Sequence, residues 1–507
     1  MSTRNPTEVV VVGGNVEGSM AAAYLKAAFR DRISVTLLQS VPTGAERAGV
    51  ESSLGDLREF FGFLGMEDED WMPSCGATYK LAVRYQEWSR PGRHFYLPFE
   101  ETRQVHGFPL TEWWLHDGPS GRFDRDCFVA SWLCDAGRSP RGLHGVTTTE
   151  SLIPGPYGYH FESAPLARHL TSYAVERGAK VLSGTVVDVR LDARGWIEHV
   201  TTAEHGDVRG DLFVDCTGEQ GLLLRRALKV PRVPHSDTLP NDSTVTLAVP
   251  VDTRTRGIPP CTTVTARGAG WIWTVPLAAR LGAGYVYAQE YCTPAEAEAE
   301  LRAAVGPEAD GAEAVHAVLP VGRSRQAWLH NCVAVGASAG SPEPLEESGV
   351  SSVHHQLEEL VRHFPGSDWH PALRDGYNAF VSRAADAAQE FLMLHYLGSA
   401  RDHTQYWRDA KTRPVSAGLA GRIARWRVRP PGAEPPRTHR RGRSPQAGVS
   451  VLLGTGAITL RPSAALSMVD GAAARAEFTA VRARAQKLVA SLPTQYDHLG
   501  RMSPLGV

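Results

Sequence analysis

The sequence predicts an α/β fold built around a parallel sheet, with long insertions between the strands of that sheet. A valine-rich run at 9–12 enters a glycine turn and leaves it as an apolar helix, and a second apolar run follows at 33–39. Similar runs return only at 180–191, 212–217 and 331–336. Nearly continuous apolar runs are typical of strands covered on both faces. The pattern therefore predicts a Rossmann-like sheet whose later strands return after inserted segments.

The spacing of these runs predicts two intertwined modules. The sheet-forming, cofactor-binding module takes residues 1–53, 155–235 and 325–350, and the substrate module takes residues 54–154, 236–324 and 351–507. Tracts within the inserted segments are rich in tryptophan, tyrosine and phenylalanine, and 350–425 has a mainly helical pattern. A tract rich in proline and arginine at 425–448 is typical of a loop.

The bulk composition excludes several classes of function. The chain has 507 residues, a net charge of −2 and a pI near 6.8, which gives no electrostatic reason to expect a nucleic-acid or membrane partner. Its seven cysteines are scattered without a C-x-x-C pair, so neither a disulfide framework nor a zinc site is expected. With no signal peptide and no long apolar run, a cytoplasmic location is expected.

The glycine turn at 13–18 departs from the usual G-x-G-x-x-G pattern because it reads GGNVEG. Gly13 and Gly14 open the turn, Gly18 allows the helix to pack closely on the strand, and the helix N-terminus could hold a pyrophosphate. Asn15 stands where the middle glycine is expected, and it tolerates a positive φ better than most residues. Gln39 takes the usual acidic position at the end of the second strand. A βαβ turn with no ligand is the alternative.

Three further motifs allow both a structural and a chemical interpretation. The run YKLAVRYQEW at 79–88 alternates, so Lys80 is either an ordinary solvated lysine or a reactive one facing inwards. In GWIWTVPL, Trp271 and Trp273 point to one side, as core residues or as an aromatic wall. EPLEESGV at 343–350 is either an acidic start to a helix or a site for a small anion at free backbone amides.

These motifs occur together in one family, the flavin-dependent tryptophan halogenases, which the chain resembles along nearly its whole length. The resemblance is carried by the glycine turn, the lysine strand, the WIWTVP strand and EPLEESG, together with HFYLPFE, GDLFVDCTGEQGLLL, GRSRQAWLHNCVAVG and HYLGSARDHTQYW. Within the family the chain looks most like the tryptophan 5-halogenases. The resemblance implies a GR2-type FAD-binding module with an intimately inserted, largely helical substrate module.

The resemblance also implies a reaction and a set of residues. FAD, bound as FADH2, would react with O2 and chloride to give hypochlorous acid, which passes through a tunnel to Lys80 with assistance from Glu346. A separate flavin reductase would supply the FADH2, and a homodimer is compatible with the resemblance. The remaining implied contacts are FAD at Glu51, Ser52, Val186 and Val350, chloride at the amides of Ser348 and Gly349, and a wall between the two chambers at Trp271 and Trp273.

Departures from the family pattern suggest a substrate other than free tryptophan. The HxF element that stacks on the indole is here Leu97-Pro98-Phe99, which keeps only Phe99 of the aromatic pair. The late block that grips the amino acid's backbone has no match in 429–448, and losing such charge-assisted hydrogen bonds costs about 1.5–3 kcal/mol each. We therefore expect chlorination at C5 of a tryptophan in a peptide or bulky metabolite, with the lanthipeptide-modifying member as the precedent.

Two other functions remain as alternatives at this point. Glu347 stands where relatives have a small hydroxyl, and a carboxylate facing the chloride amides would repel the halide. If chloride binding is lost, the chain would be a flavin-dependent aromatic monooxygenase. A degenerate flavin-fold binding protein is the non-enzymatic alternative, although it would have no need to retain Lys80, Glu346 and both tryptophans together.

Overall fold

The structure is a computed structural model that describes residues 5–39, 49–118, 121–142, 156–346, 349–430 and 445–502. Within these residues the strands are β1 (Glu8–Val12), β2 (Ser34–Gln39), β3 (Val50–Ser52), β4 (Thr78–Lys80), β5 (Ala82–Gln86), β6 (His94–Pro98), β7 (Gln104–Val105), β8 (Phe108–Pro109), β9 (Gly158–Glu162), β10 (Lys180–Ser183), β11 (Val186–Leu191), β12 (Ile197–Thr202), β13 (Gly206–Arg209), β14 (Leu212–Asp215), β15 (Arg232–Pro234), β16 (Ser243–Pro250), β17 (Cys261–Ala266), β18 (Gly270–Pro276), β19 (Arg280–Tyr287), β20 (Val315–Val318), β21 (Gly322–Ser324), β22 (Trp328–Leu329), β23 (Cys332–Ala334) and β24 (Gly340–Ser341).

The helices of the same residues are α1 (Val16–Phe29), α2 (Leu57–Leu64), α3 (Asp68–Trp71), α4 (Leu110–Asp117), α5 (Phe123–Cys127), α6 (Ala130–Asp135), α7 (Ser163–Glu176), α8 (Thr253–Arg256), α9 (Pro294–Val305), α10 (Val350–Arg362), α11 (Pro371–Gly398), α12 (Gln405–Thr412), α13 (Ala417–Trp426), α14 (Pro445–Thr455), α15 (Ala472–Ser491) and α16 (Gln495–Met502). None of them is long and apolar enough to cross a membrane.

The predicted Rossmann-like sheet is present and has six strands in the order β10-β2-β1-β14-β23-β22. All of its neighbouring pairs are parallel except the last, β23 with β22. The valines of β1 are fully buried because α1, which packs on α7 and α10, covers the sheet. The first part of the predicted run at 180–191 and the runs at 212 and 331 join this sheet, and the α/β fold class is confirmed. The second part, β11, instead pairs with β12 in a separate antiparallel sheet, because most of its side chains are not covered on both faces.

The inserted segments contribute a second large sheet as well as helices. Its seven strands follow the order β20-β16-β19-β18-β17-β5-β6, and only the pair β17 with β5 is parallel. The helices α10 to α16 follow the last strand in the chain, so the C-terminal part of the substrate module is helical, as its pattern predicts. The tryptophan-rich strand β18 lies inside the seven-stranded sheet, between β17 and β19.

The lysine strand is divided between two sheets. Residues 78–80 form β4, which pairs with β9, whereas 82–86 form β5 in the seven-stranded sheet. The break falls at Leu81, whose N–H donates to the carbonyl of Pro260 and whose carbonyl accepts from the N–H of Phe99. Protein covers both faces here, and Lys80 is 0% exposed. The alternative of a solvated lysine is therefore wrong, because an alternating pattern does not reveal what packs on the polar face.

The small sheet β3-β9-β4 aligns the residues that surround Lys80. Ser52 and Thr78 both pair with His160, and Lys80 pairs with Gly158 two residues earlier on β9. Paired residues in antiparallel strands share a face, so the lysine side chain runs past a position that carries no side chain. A Cβ at Gly158 would lie 2.6 Å from the carbonyl oxygen of Leu54. This glycine lets the Ser53–Leu54 backbone approach the lysine strand.

Replacing Gly158 with alanine should therefore destabilise the protein and disturb Lys80. We expect Gly158→Ala to lower the free energy of unfolding by about 1–3 kcal/mol, as overpacking against a backbone does. Gly62→Ala is the matched control, because no atom lies within 4 Å of a Cβ at this position on α2. Urea unfolding measures both variants, and equal stabilities for the two would contradict the proposed close approach.

Candidate functional site

The ammonium group of Lys80 lies at a buried meeting point of three chain segments. Its Nζ donates to Ser52 Oγ at 2.9 Å, to the carbonyl of Ser53 at 3.0 Å and to the carbonyl of Glu346 at 2.6 Å. A buried charge is costly unless hydrogen bonds replace its water, and three acceptors match the three donors of an ammonium. The structure therefore brings Ser52, which the sequence predicts as an FAD contact, onto Lys80 together with the main chain of Ser53 and Glu346.

The segment carrying Glu346 leads directly into α10. Glu346 is 4% exposed, and Gly349 precedes α10 with a φ of 102°, a backbone conformation that favours glycine. In the first turn of α10, Ser351 Oγ accepts a hydrogen bond from the N–H of Leu54. This bond ties the helix start to the loop after β3, so the segments holding Lys80 are held to each other. Ser348 and Glu347 lie outside the described residues.

An aromatic ring covers one side of the lysine ammonium. Lys80 Nζ lies 5.2 Å from the centroid of the Phe99 ring, within the range of a cation–π interaction. The N–H of Phe99 bonds to the carbonyl of Leu81, which fixes the ring beside the break in the lysine strand. Leu97 lies on β6 opposite Val83 and is buried. The LPF segment therefore brings the Phe99 ring to Lys80, whereas the stacking of this ring on an indole stays a prediction.

Trp271 is held by a buried carboxylate that lies three residues before Glu346. Its Nε1 donates to Glu343 Oε1 at 2.8 Å and to the hydroxyl of Tyr396 at 3.0 Å. Asn241 Nδ2 and the Tyr396 hydroxyl also donate to Glu343 Oε1. Burial raises the pKa of Glu343, while the hydrogen bonds from Tyr396 and Trp271 lower it. The EPLEESG motif gives no reason to single out Glu343, because its partners lie far away in the sequence.

Trp273 occupies the same strand but has a different environment. It is partly exposed, and its ring lies so close to Gly284 on β19 that a Cβ there would be 2.5 Å from the indole. Trp271, by contrast, is 0% exposed. Both rings are therefore fixed by their neighbours, which is compatible with a rigid aromatic wall as well as with ordinary core packing.

The turns after three parallel strands meet at the carboxyl end of the six-stranded sheet, where ligands of open α/β sheets bind. Gly13 has a φ of 151°, and a Cβ on it would lie 2.3 Å from the carbonyl oxygen of Cys216, just after β14. A Cβ at Gly18 would lie 2.2 Å from the carbonyl oxygen of Gly13. Gly336, with a φ of 70°, follows β23. This cradle of closely packed glycines fits a dinucleotide.

Asn15 is accommodated in a way that the sequence does not predict. Its backbone is extended, with a φ of −90°, so a tolerance of positive φ is the wrong explanation for an asparagine here. Instead Asn15 is the N-cap of α1, and its Oδ1 accepts a hydrogen bond from the N–H of Gly18 at 3.0 Å. The side chain therefore occupies a helix donor that a phosphate could otherwise use. Gly14 lies beside it in the turn.

The other predicted cofactor residues lie around the same sheet end. Gln39 Nε2 donates to Thr171 Oγ1, and the carbonyl of Gln39 accepts from Gly184, two residues before Val186. Glu51 Oε1 accepts from Ser163 Oγ at the start of α7. Val350 begins α10 and is buried. The residues present could hold FAD between the glycine turn and these side chains.

Glu17 adds an acid to this cradle that the sequence gives no reason to expect. Its Oε1 accepts a hydrogen bond from the N–H of Ala337 at 3.0 Å, which places the carboxyl in the turn after β23. Desolvation raises the pKa of Glu17 to about 8, and the negative charges of Glu51 and Glu219 contribute to the rise. The carboxyl is therefore mostly protonated at neutral pH, in the first turn of α1 where the glycine turn would meet a bound cofactor.

The comparisons with known proteins agree with this geometry. The family model "Tryptophan halogenase" matches residues 8–471. Tryptophan 6-halogenase SttH of Streptomyces toxytricini is 54% identical, with 99% of each chain covered. The crystal structure of SttH has a TM-score of 0.94, with 99% of this chain and 100% of that chain covered. The 7-chloro-L-tryptophan 6-halogenase KtzR of Kutzneria sp. (strain 744) is 52% identical, with 98% of this chain and 100% of KtzR covered.

The expectation of closest resemblance to the 5-halogenase group is wrong. MibH, a lanthipeptide tryptophan 5-halogenase, is only 26% identical, with a TM-score of 0.83 and 98% and 93% of the two chains covered. SttH and KtzR, which are 54% and 52% identical, are both named as 6-halogenases. The expectation of a peptide substrate rests on the missing late block at 429–448, and residues 431–444 of that segment lie outside the described residues.

Removing the carboxylate of Glu343 should destabilise the site more than neutralising it. Glu343→Ala leaves the buried donors of Asn241, Trp271 and Tyr396 without their common acceptor, which should cost about 3 kcal/mol of unfolding free energy. Glu343→Gln is the matched control because it retains an oxygen for these donors. Urea unfolding and the fluorescence of the tryptophans measure the effect, and a stability of Glu343→Ala equal to that of Glu343→Gln would contradict this role.

Binding of FAD should weaken as Glu17 loses its proton. Since the pKa of Glu17 is raised to about 8, the neutral acid predominates below that pH, and a negative charge appears beside the phosphate as the pH rises through it. Between pH 7 and pH 9, the Kd for FAD should rise in the wild type and in Glu17→Gln by different factors. We expect the factor for the wild type to be about ten times that for Glu17→Gln. Titration of flavin fluorescence measures this, and parallel pH profiles for the two proteins would refute the prediction.

Proposed function

Because this chain belongs to the tryptophan halogenase family, we propose that it catalyses the FADH2-dependent chlorination of tryptophan at C6 of the indole ring. The observation that carries the proposal is the buried ammonium of Lys80, held beside the Phe99 ring and the Glu346 segment. The position on the ring is supported by the names of SttH and KtzR, both 6-halogenases and both more than half identical to this chain.

The chain's own residues supply the positioning that the reaction requires. Bound FADH2, delivered by a separate flavin reductase, supplies hypochlorous acid with O2 and chloride. Lys80 is proposed to hold the oxidant by hydrogen bonding or to carry its chlorine on the amine, at a site from which bulk water is excluded. Phe99 stacks on the indole, and Trp271 with Trp273 keeps the ring away from the flavin. Chloride would bind near the amides of Ser348 and Gly349.

In the transfer of chlorine from hypochlorous acid to the indole, Glu346 is proposed to accept the proton that the ring loses. The indole carbon forms a bond to chlorine as the O–Cl bond of hypochlorous acid breaks. The departing oxygen leaves as hydroxide, which takes up the proton that Glu346 removes from the ring carbon and becomes water. Glu346 stabilises the cationic ring and accepts the proton from the carbon that carries chlorine, so that the products are the chloroarene and water.

The substrate in this proposal is tryptophan as the free amino acid. Free tryptophan is proposed in place of a tryptophan within a peptide, and C6 in place of C5. The support is that SttH and KtzR, which match over nearly their whole length, are named for tryptophan or chlorotryptophan. The name of KtzR also suggests 7-chlorotryptophan as a second acceptor, in which C6 lies next to the existing chlorine.

The experiment supplies FADH2, O2 and chloride with free tryptophan, 7-chlorotryptophan or a tryptophan-containing peptide, and identifies products by mass spectrometry and NMR. We expect a C6-chlorinated free amino acid, and a loss of about 10²–10⁴-fold in turnover for Lys80→Ala. Lys180→Ala is the matched control, because Lys180 is exposed at the edge of the six-stranded sheet.

Each alternative gives a different result in the same experiment. A halide-independent gain of one oxygen would indicate the aromatic monooxygenase, and no product with any acceptor would indicate a flavin-fold binding protein. Chlorination of the peptide without chlorination of either free amino acid would contradict the proposed substrate while leaving the halogenase activity.

A further inference from the structure

A chain of hydrogen bonds leads away from Lys80 into the protein. Ser52 Oγ, which accepts from Lys80 Nζ, lies 3.0 Å from Thr262 Oγ1, and this oxygen lies 2.9 Å from His160 Nε2. On the other side of the ring, His160 Nδ1 lies 3.1 Å from Thr78 Oγ1. The chain ends where Thr78 Oγ1 donates to the carbonyl of Pro276 at 2.7 Å. All of its side chains are buried.

The two ends of the chain fix the direction of every bond between them. The Thr78 hydroxyl has one proton and gives it to the carbonyl of Pro276, so His160 Nδ1 must donate to Thr78. A neutral imidazole then accepts at Nε2, and Thr262 must donate to it. Burial and the charge of Lys80 lower the pKa of His160 well below its usual value, which agrees with a neutral ring.

At the other end, Lys80 has donors only, so Ser52 accepts from it. Because Thr262 uses its proton on His160, the proton between Ser52 and Thr262 must come from Ser52. The lone pairs of Ser52 are thereby turned towards the ammonium. The direction of the chain is thus set jointly by the neutral His160 and by Lys80.

Strand register and the second sheet together build this arrangement. Ser52, His160 and Thr78 lie side by side across β3, β9 and β4, on the face past which the Lys80 side chain runs. Thr262 comes from β17 of the seven-stranded sheet and bridges Ser52 and His160. The hydrogen-bonded chain therefore connects the two sheets immediately behind the lysine.

We propose that Thr262 and His160 are positioning residues that act through Ser52 to hold the Lys80 ammonium in its reactive orientation. The inference rests on the proposed function of Lys80. Without the Thr262 oxygen, the Ser52 proton would turn to the nearby carbonyls and compete with Lys80 for them. Chlorine transfer would then become slower, whereas formation of hypochlorous acid, which does not involve Lys80, would continue.

The decisive comparison is Thr262→Val, which removes the hydroxyl at nearly constant volume, against Thr262→Ser, which keeps it. We expect Thr262→Val to lower kcat for chlorotryptophan formation about five- to tenfold, equivalent to one hydrogen bond, with KM for tryptophan changed less than twofold. Thr262→Ser should keep more than half of the wild-type kcat. Thr265→Val on the same strand, on the other face, is the matched control.

A second readout separates positioning from a general loss of structure. Escaped hypochlorous acid is captured by a dissolved thioether, which becomes the sulfoxide as chloride is released, with catalase present to remove peroxide. We expect Thr262→Val to yield at least as much sulfoxide as the wild type. An unchanged Tm for Thr262→Val shows that the fold persists.

Variants of His160 test the other member of the pair. The amide of His160→Gln reaches the place of Nε2 and offers an oxygen to Thr262, whereas the amide of His160→Asn reaches only the place of Nδ1. We therefore expect His160→Gln to retain a several-fold higher kcat than His160→Asn, with similar KM values.

The outcomes distinguish the inference from the function on which it rests. If the wild type chlorinates tryptophan and Thr262→Val matches Thr262→Ser in kcat, the positioning role is refuted and the halogenase function stands. An equal loss of sulfoxide and chlorotryptophan in Thr262→Val also refutes it. A wild type that produces sulfoxide but no chlorotryptophan contradicts the proposed function, and the inference with it.

Discussion

The candidate site depends on one constraint, which is the burial of the Lys80 ammonium. A charge removed from water costs several kcal/mol unless polar groups replace the lost hydration. Here the replacement comes from the loop after β3 and from the segment before α10, which are far apart in the sequence. Because the same segments also bond to each other through Leu54 and Ser351, the site and the packing around it are a single cooperative structure.

Two buried acids show how burial and hydrogen bonding determine the state of a carboxyl group. Glu343 accepts hydrogen bonds from Trp271, Tyr396 and Asn241. It therefore connects the tryptophan-rich strand β18 to the segment that also carries Glu346. Glu17 lies in the turn after β23 beside other acids, and its pKa is raised to about 8. The first acid holds Trp271 through a hydrogen bond, and the second carries a raised pKa in the glycine cradle.

The two modules are connected through backbone and side-chain contacts rather than through a linker. The β3-β9-β4 sheet combines strands from both predicted modules, since β4 belongs to the substrate segment and β3 and β9 to the cofactor segments. Lys80 therefore lies at the junction between the parallel sheet, where an oxidant would form, and the seven-stranded sheet with its aromatic residues. This placement suits a residue that receives the oxidant from one side and passes chlorine to the other.

The parallel sheet and the glycine turn are predictable from the amino acids alone, because strands buried on both faces and close backbone approaches leave local patterns of valine and glycine. Resemblance then identified Lys80, Glu346, Phe99 and the two tryptophans, and the fold places Lys80, Phe99 and the Glu346 segment together. The resemblance does not predict the high identity to 6-halogenases, because the departures at Leu97 and in 429–448 say nothing about the rest of the pocket. It does not predict the role of Asn15 either, because a capping side chain and a positive φ are equally compatible with asparagine.

The burial of Lys80, the hydrogen bonds that link His160 and Thr262 to it through Ser52, and the positions of Glu343 and Glu17 depend on long-range packing. Their partners lie on other strands, and no local pattern reports which polar groups meet across two sheets. A histidine on a strand or a glutamate in an acidic run has the same local pattern whether it faces water or a buried hydroxyl. Tertiary contacts determine whether such a residue is exposed or buried, because a buried polar group needs a hydrogen-bond partner and that partner often lies far away in the sequence.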